Sequence, residues 1–503
     1  MATSRCNAAR NWGAGFSPRG ASAPLLALAF LPLTLLSAPP NPTHSRKLNA
    51  ETLRHYTALL RIDTSNPPGN ETAAAKYLAD VLEREGIPVK LLALDPARSN
   101  LVARIRGNGS ARPIAILGHT DVVGAQRSKW SVDPFGAVRK NGFIYARGAV
   151  DDKEIVTAGL MVMLLLQREH IKLNRDVIFV AEAGEEGTPA VGIDFLVGRH
   201  WDEIAAEYAL AEGGSAVAQG GDVRYVAITT AEKVPRGVRL IAHGPSGHGS
   251  RPSPNNAVLR LAAAVAKLGE WHTPMRLNDT ARDYFERLAT ISPLADADRY
   301  RHIGDPVRGP EIDRYFEDYE PAHYAMLRTT LAPTMLKAGF AFNVIPSEAE
   351  AYIDIRALPD EDMPRFYQEM RAAIADPNIE MEPQKPIRPA TPPSRTDTPL
   401  YRALEHSQRK MFPGAITLPL MLTGATDMAQ LRAKGVEAYG FGPIVEAGDP
   451  GEAHANDERL AVASLYKLVE FLWYTILEVS GAGSQPARDS QSRSSAGWCP
   501  TAG

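Results

Sequence analysis

The sequence predicts an α/β protein: a mixed, mostly parallel sheet flanked by helices, interrupted by an inserted ferredoxin-like α+β domain. Three observations carry this. From Leu48 to about Thr230, short apolar runs alternate with helical patterns, the signature of βαβ units around a mostly parallel sheet. After Lys233 the order becomes βαββαβ, which is the order of a ferredoxin-like domain. Helix and strand patterns resume at Leu400, so the second domain is inserted into the first. At 503 residues the chain exceeds one ordinary domain of roughly 100–200 residues, in keeping with two domains plus tails.

The chain opens with Arg5, Arg10 and Arg19 ahead of an apolar run from Leu25 to Leu36, followed by small Ser37 and Ala38 before Pro39. This is the pattern of a signal peptide over 1–38, and a secreted or periplasmic protein is the expectation. The run is shorter than the ~20 residues that span a bilayer and contains Pro32; an uncleaved anchor is the alternative. The first part of the larger domain covers 47–232, with strands at Ile114–Leu117, Val177–Ala181 and Tyr208–Ala211. Glu154–Gln167 is strongly apolar and too short for a membrane span, so it reads as a buried helix. The inserted domain covers 233–385: a strand at Val238–Ala242, a helix at Asn255–Leu268, strands near Phe340–Ile345 and Ala349–Ile355, a helix at Met363–Ala375 and a last strand near Ile379–Glu382. Trp271 to Leu331 reads as a long insertion within it. The Pro-rich segment Pro386–Pro393 is expected to be a linker. It opens the second part of the larger domain, 386–478, which closes with a helix from Glu458 to about Leu477. The Gly, Ser, Gln and Arg composition of 479–503 predicts a disordered tail.

Composition narrows the function. With 44% hydrophobic and 22% charged residues there is ample apolar material for a core. A formal charge of −3 lacks the basic excess that would neutralise phosphates, which argues against nucleic acid as partner. Cys6 and Cys499 fall in the leader and the tail, so neither a disulfide framework nor a cysteine zinc site is available. Any metal must be held by His and carboxylates.

Five segments offer such ligands. His119-Thr-Asp121 follows a strand, where α/β sites gather, and a carboxylate two residues on can fix an imidazole tautomer. Arg147-Gly-Ala-Val-Asp151-Asp152-Lys153 precedes the apolar helix; its acids are read either as helix caps or, for Asp151, as a carboxylate able to bridge two cations. Gly184-Glu185-Glu186-Gly187 follows another strand, and adjacent carboxylates there suggest that one binds metal while the other handles protons. Glu212-Gly-Gly again follows a strand, and His454 lies in an acidic loop before the final helix. Each segment alone has a bland reading as surface or cap. Together, His119, Asp151, Glu186, Glu212 and His454 supply two imidazoles and three carboxylates, which suits two cations sharing one carboxylate about 3.5–4 Å apart.

With these motifs the sequence resembles the cocatalytic zinc family of aminoacylase, carboxypeptidase S, glutamate carboxypeptidase and succinyl-diaminopimelate desuccinylase. The resemblance runs from Leu48 to Leu477 through GHTDVV (Gly118–Val123), RGAVDDK (Arg147–Lys153), GEEG (Gly184–Gly187), AEGG (Ala211–Gly214), GPSGHGSRP (Gly244–Pro252), NVIP (Asn343–Pro346), GATD (Gly424–Asp427) and His454. Trp130–Phe135 leading to Gly142–Tyr145 is most similar to the carboxypeptidase S and N-fatty-acyl-amino-acid hydrolase branch. Two departures stand out: Ala146 replaces a glycine common before the Arg-Gly pair, and Gly184 replaces an acidic residue common before the paired glutamates.

The resemblance implies two Zn2+ per subunit, with cobalt or manganese as possible substitutes. One is bound by His119, Asp151 and Glu212, the other by Asp151, Glu186 and His454. It implies Asp121 as the residue orienting His119 and Glu185 as general base. It also implies His248 as an oxyanion stabiliser donated across a homodimer formed by the inserted lid and dimerisation domain, with Asn343 assisting. Arg356 becomes a clamp for a substrate carboxylate, and Gly424 and Thr426 line that pocket. The implied reaction is hydrolysis of an amide bond in an N-acyl amino acid or small peptide beside a free carboxylate. The alternatives are a dipeptidase or other deacylase with the same machinery, a non-catalytic secreted binding protein, and a two-metal nuclease or phosphatase, the last disfavoured by the lack of basic charge.

Overall fold

The computed structural model describes residues 46–449 and 451–481. The expected signal peptide at 1–38 and the tail beyond Gly481 lie outside the described residues. Near the tail, Val479 and Ser480 still belong to the closing helix, and Gly481 bridges Leu173.

A ten-stranded mixed sheet forms the larger layer. Its centre is parallel, running from Val177–Glu182 through Ile114–His119 and Tyr208–Ala211 to Glu437–Gly440. Antiparallel strands Val89–Ala93 and Ser99–Ile105 extend one side. On the other, Asp222–Glu232 pairs antiparallel with Ser215–Gln219 and parallel with Ile416–Leu422. The central strands are buried along their whole length, as expected of strands covered on both faces, where apolar runs replace alternation. Helices Glu71–Arg84, Lys153–Arg168, Pro399–Met411 and Val462–Ser480 cover one face, sharing a core that includes Leu78, Leu160, Leu404 and Leu472. Ile193–Arg199 and Met428–Ala433 cover the other through Ile193, Leu196 and Leu431. In Lys153–Arg168, every residue from Lys153 to Leu166 is buried, Lys153, Glu154 and Thr157 included, which accounts for its strongly apolar sequence.

The second sheet has four antiparallel strands, with Val234–His243 flanked by Glu348–Ala357 and Ile379–Pro383, and Thr330–Ala338 at the edge beyond Glu348–Ala357. Helices Ala257–Glu270 and Met363–Ile374 pack on one face through Leu261, Leu268, Phe366 and Met370. The βαββαβ order therefore holds, but its second strand is Thr330–Ala338, not Phe340–Ile345. Of the latter only Val344–Ile345 is extended, pairing with Gly247–His248.

The 271–331 stretch contributes four helices: Asp279–Leu288, Leu294–Arg301, Gly309–Tyr319 and Pro321–Met326. They do not join the four-stranded sheet. Phe285, Leu288 and Phe316 instead pack with Leu418 and Met421 of the larger sheet. One further expectation needs correction: Glu458 precedes the closing helix, which begins at Val462. The Pro-rich segment Pro386–Pro393 has no helix or strand, and within it Arg388 is buried. No helix among the described residues is long and apolar enough to cross a membrane.

Candidate metal centre and active site

Four of the five proposed ligands sit on the same side of the large sheet because its parallel strands end there. His119 is the last residue of Ile114–His119, and Glu212 follows Tyr208–Ala211 directly. Glu186 lies in the turn after Val177–Glu182, and Asp151 lies just ahead of helix Lys153–Arg168. His454 arrives from the loop before the closing helix. Two sets result, His119, Asp151, Glu212 and Asp151, Glu186, His454, each with its donor atoms within 4.8 Å of one another.

Asp151 is common to both sets. Its Oδ1 lies 2.8 Å from Nε2 of His119 and its Oδ2 3.1 Å from Nε2 of His454. His119 Nε2 is also 3.9 Å from Glu212 Oε1, and His454 Nε2 is 3.0 Å from Glu186 Oε1. Burial would push the His119 imidazolium down, but Asp121, Asp151 and Glu212 outweigh it and hold its pKa well above the histidine range. Asp151 and Glu186 push His454 up to about 10. Burial is likewise overcome at Asp151, where the two histidines hold the carboxyl well below its ordinary range. Glu212 goes the other way, raised by burial and by the Asp151 charge. So much negative charge around two imidazoles is the electrostatic condition for cation binding.

Asp121 has a wider task than orienting one ring. The nearest acceptor to His119 Nδ1 is the Asp121 backbone carbonyl at 3.0 Å, while the carboxylate Oδ1 is 3.6 Å away. That carboxylate accepts the backbone N–H groups of Gly184, Glu185 and Glu186 at 2.9–3.1 Å and the Asn66 amide at 2.8 Å. It therefore fixes the loop that carries Glu185 and Glu186. The glycine at 184 is explained by its φ of +81°, and a Cβ there would lie 2.5 Å from the Thr188 carbonyl oxygen. No acidic side chain fits that position.

Glu185 is 11% exposed at its side chain and takes a 2.6 Å hydrogen bond on Oε1 from Nη2 of Arg388. Burial and the neighbouring Asp427 charge push its pKa up to about 8. Arg388 also reaches Asp427 through Nη1. A second support that the sequence reading missed is Glu458: it accepts Arg147 Nη1 and the backbone N–H groups of Gly148 and Val150, holding the turn that presents Asp151.

The remaining expected residues belong to neither ligand set. His248 is exposed, its Nδ1 accepting from Ser250 N–H at 3.1 Å, and it neighbours Asn343 through the short pairing of Gly247–His248 with Val344–Ile345. Arg356 donates from Nε to both oxygens of Asp354, at 3.1 and 3.0 Å. Gly424 is half-buried at the end of Ile416–Leu422. Thr426 is buried, its hydroxyl bonded to Glu232 at 2.8 Å.

With this geometry in view, the sequence profile described as Peptidase family M20/M25/M40 matches residues 115–478. The chain belongs to that family. It is 29% identical over 381 residues to the N-fatty-acyl-amino acid synthase/hydrolase of Homo sapiens, covering 73% of this chain and 74% of that one. Aminoacylase-1 of Homo sapiens is 27% identical over 444 residues, covering 87% of this chain and 96% of the other. Among solved structures, an M20 family metallo-carboxypeptidase from Sulfolobus solfataricus superposes with a TM-score of 0.64 at 20% identity, over 85% of this chain and 98% of that one. Like its M20 relatives, the protein is a hydrolytic enzyme of the metallopeptidase and aminoacylase type.

Proposed function

We propose that this chain hydrolyses the amide bond of N-acyl amino acids, or of the C-terminal residue of small peptides, beside a free carboxylate, using two zinc ions. The observation that carries the reading is Asp151, whose two oxygens face two different imidazoles at 2.8 and 3.1 Å. The donors fit the group: two imidazoles and three carboxylates suit borderline divalent cations, with cobalt or manganese as substitutes. When bound, the cation pair supplies Lewis acidity and lowers the pKa of a water. Glu185, which is not in either ligand set, takes a proton from the attacking water and returns it to the departing nitrogen. Asp121 keeps Glu185 and Glu186 in register through their backbone N–H groups.

Substrate selection is assigned to the inserted domain, 233–385, set against the catalytic parts 47–232 and 386–478. Arg356 would clamp the substrate carboxylate in exchange for Asp354, with Gly424 and Thr426 beside the pocket. A homodimer through the inserted domain is supported by its edge strand Thr330–Ala338, where Met335 and Leu336 are 47% and 64% exposed. An unpaired apolar edge is a template for pairing with another chain. In such a dimer His248, with Asn343, stabilises the oxyanion in the partner's site. The leader pattern supports a secreted or periplasmic location, or an anchored one if it is not removed. The test is to follow amine release from N-acyl-leucine, its carboxamide and a dipeptide by the zinc-loaded protein. The acids should be cleaved and the carboxamide spared; equal rates for acid and carboxamide would remove the carboxylate requirement.

A further inference from the structure

We propose that Arg388 is a positioning residue for Glu185, pointing the general base at the substrate through a fork that it shares with Asp427. The inference rests on the reading of Glu185 as base. Arg388 is 4% exposed, in the Pro-rich stretch by which the chain returns from the four-stranded sheet. Nη1 binds Asp427, and Nη2 donates to Glu185 Oε1 at 2.6 Å and to the Glu185 backbone carbonyl at 3.3 Å. Holding one carboxylate oxygen and the main chain together fixes the Glu185 rotamer. Oε2 has no protein hydrogen-bond partner among the described residues, so it is the oxygen left to exchange a proton. A planar guanidinium can serve two acceptors in fixed directions, which an ammonium cannot.

Charge neutralisation of Asp427 alone would need only one donor, and would not require the pair of contacts on residue 185. The backbone of Arg388 is itself held. Its carbonyl accepts Nη1 of Arg236 at 3.0 Å, and Gln384 N–H donates to the Gly237 carbonyl at 2.8 Å. Both partners lie on strand Val234–His243 of the inserted domain. The arginine that orients the base is thus anchored to the domain assigned to substrate selection, so the pose of that domain is passed to Glu185 through one side chain.

The experiment measures kcat, KM and bound metal for Arg388→Ala and Arg388→Lys beside wild type and Glu185→Gln. In Arg388→Ala, kcat should fall by up to ~10²-fold, the size of effect a misplaced group of this kind produces. KM should stay within about threefold and two metals should remain. Added methylguanidinium should recover part of the rate. Arg388→Lys retains a cation between the carboxylates and decides the matter if the alanine variant does not fold; its kcat should be intermediate. Wild-type kcat in either folded, metal-replete variant overturns the proposal. So does a rate loss in Arg388→Ala that methylguanidinium fails to relieve while it raises the melting temperature, because that marks a purely structural cation. A fully active Glu185→Gln would instead sink the assignment of the base, and the positioning role with it.

Discussion

In the proposed two-cation centre Asp151 is the one residue common to both ligand sets, so its loss should differ from that of any other proposed ligand. Asp151→Asn should weaken both metals by more than the ~10–100-fold that loss of a supporting partner costs. His454→Ala should weaken one and leave the His119, Asp151 and Glu212 site occupied; metal stoichiometry after dialysis separates the two outcomes. A single loss in Asp151→Asn would show that the carboxylate is not shared. The convergence of the five proposed ligands was legible in the sequence because strand ends in a parallel sheet converge, and four of the five stand at or just beyond predicted strands or before the apolar helix. Arg388 and Glu458 were not legible. Arg388 sits among prolines, where composition reads as linker, and only tertiary packing brings it to Glu185 across 203 residues. Glu458 looked like the start of a helix, yet its partners Arg147, Gly148 and Val150 lie more than 300 residues earlier.

Among the elements, the edge strand of the inserted sheet shows why local preference misled. Phe340 and Phe342 favour strands on propensity, but both are exposed, at 86% and 107%, in a loop. The strand is Thr330–Ala338, which contains Pro333; an edge strand with a register shift between Pro333 and Met335 tolerates a residue that cannot donate. The strand's first residue also ties the helical insertion to the crossing between sheets. Lys233, 1% exposed, donates to the Ala325 carbonyl at 3.0 Å and to Thr330 Oγ1 at 2.8 Å. Burial, then the Arg356 and Arg328 charges, push its pKa down from 10.5 to about 7. Between those values the unfolded chain binds the proton and the folded chain does not, so wild-type stability rises with pH across that window. Below it the folded chain must bury the charge. Lys233→Met has no such cost, so its unfolding free energy relative to wild type should fall as pH rises from 7 to 10.5, by on the order of 3–5 kcal/mol. Denaturant titrations of both proteins across that range test this, and a difference that does not change with pH would contradict the burial of a neutral lysine.

For the whole molecule, the α/β class and the inserted ferredoxin-like order were legible from alternating patterns, while the packing of helices 279–326 against the larger sheet was not, since amphipathic helices do not announce their partners. His248 stands outside the metal cluster of its own chain, so the proposed dimer has a functional consequence. His248→Ala and Glu185→Gln, each nearly inactive alone, should regain turnover when mixed and allowed to exchange subunits, because one site then combines an intact Glu185 with the partner's intact histidine. No recovery after verified exchange would mean that each chain works alone. The most direct test of a two-metal hydrolase with Glu185 as its base is the rate of N-acyl-leucine hydrolysis by zinc-loaded Glu185→Gln, measured beside wild type with metal content recorded for both. The expected result is two zinc ions in each protein and a rate reduced by ~10²–10⁴-fold in the variant, the contribution of a general base; a wild-type rate in the fully loaded variant would contradict it.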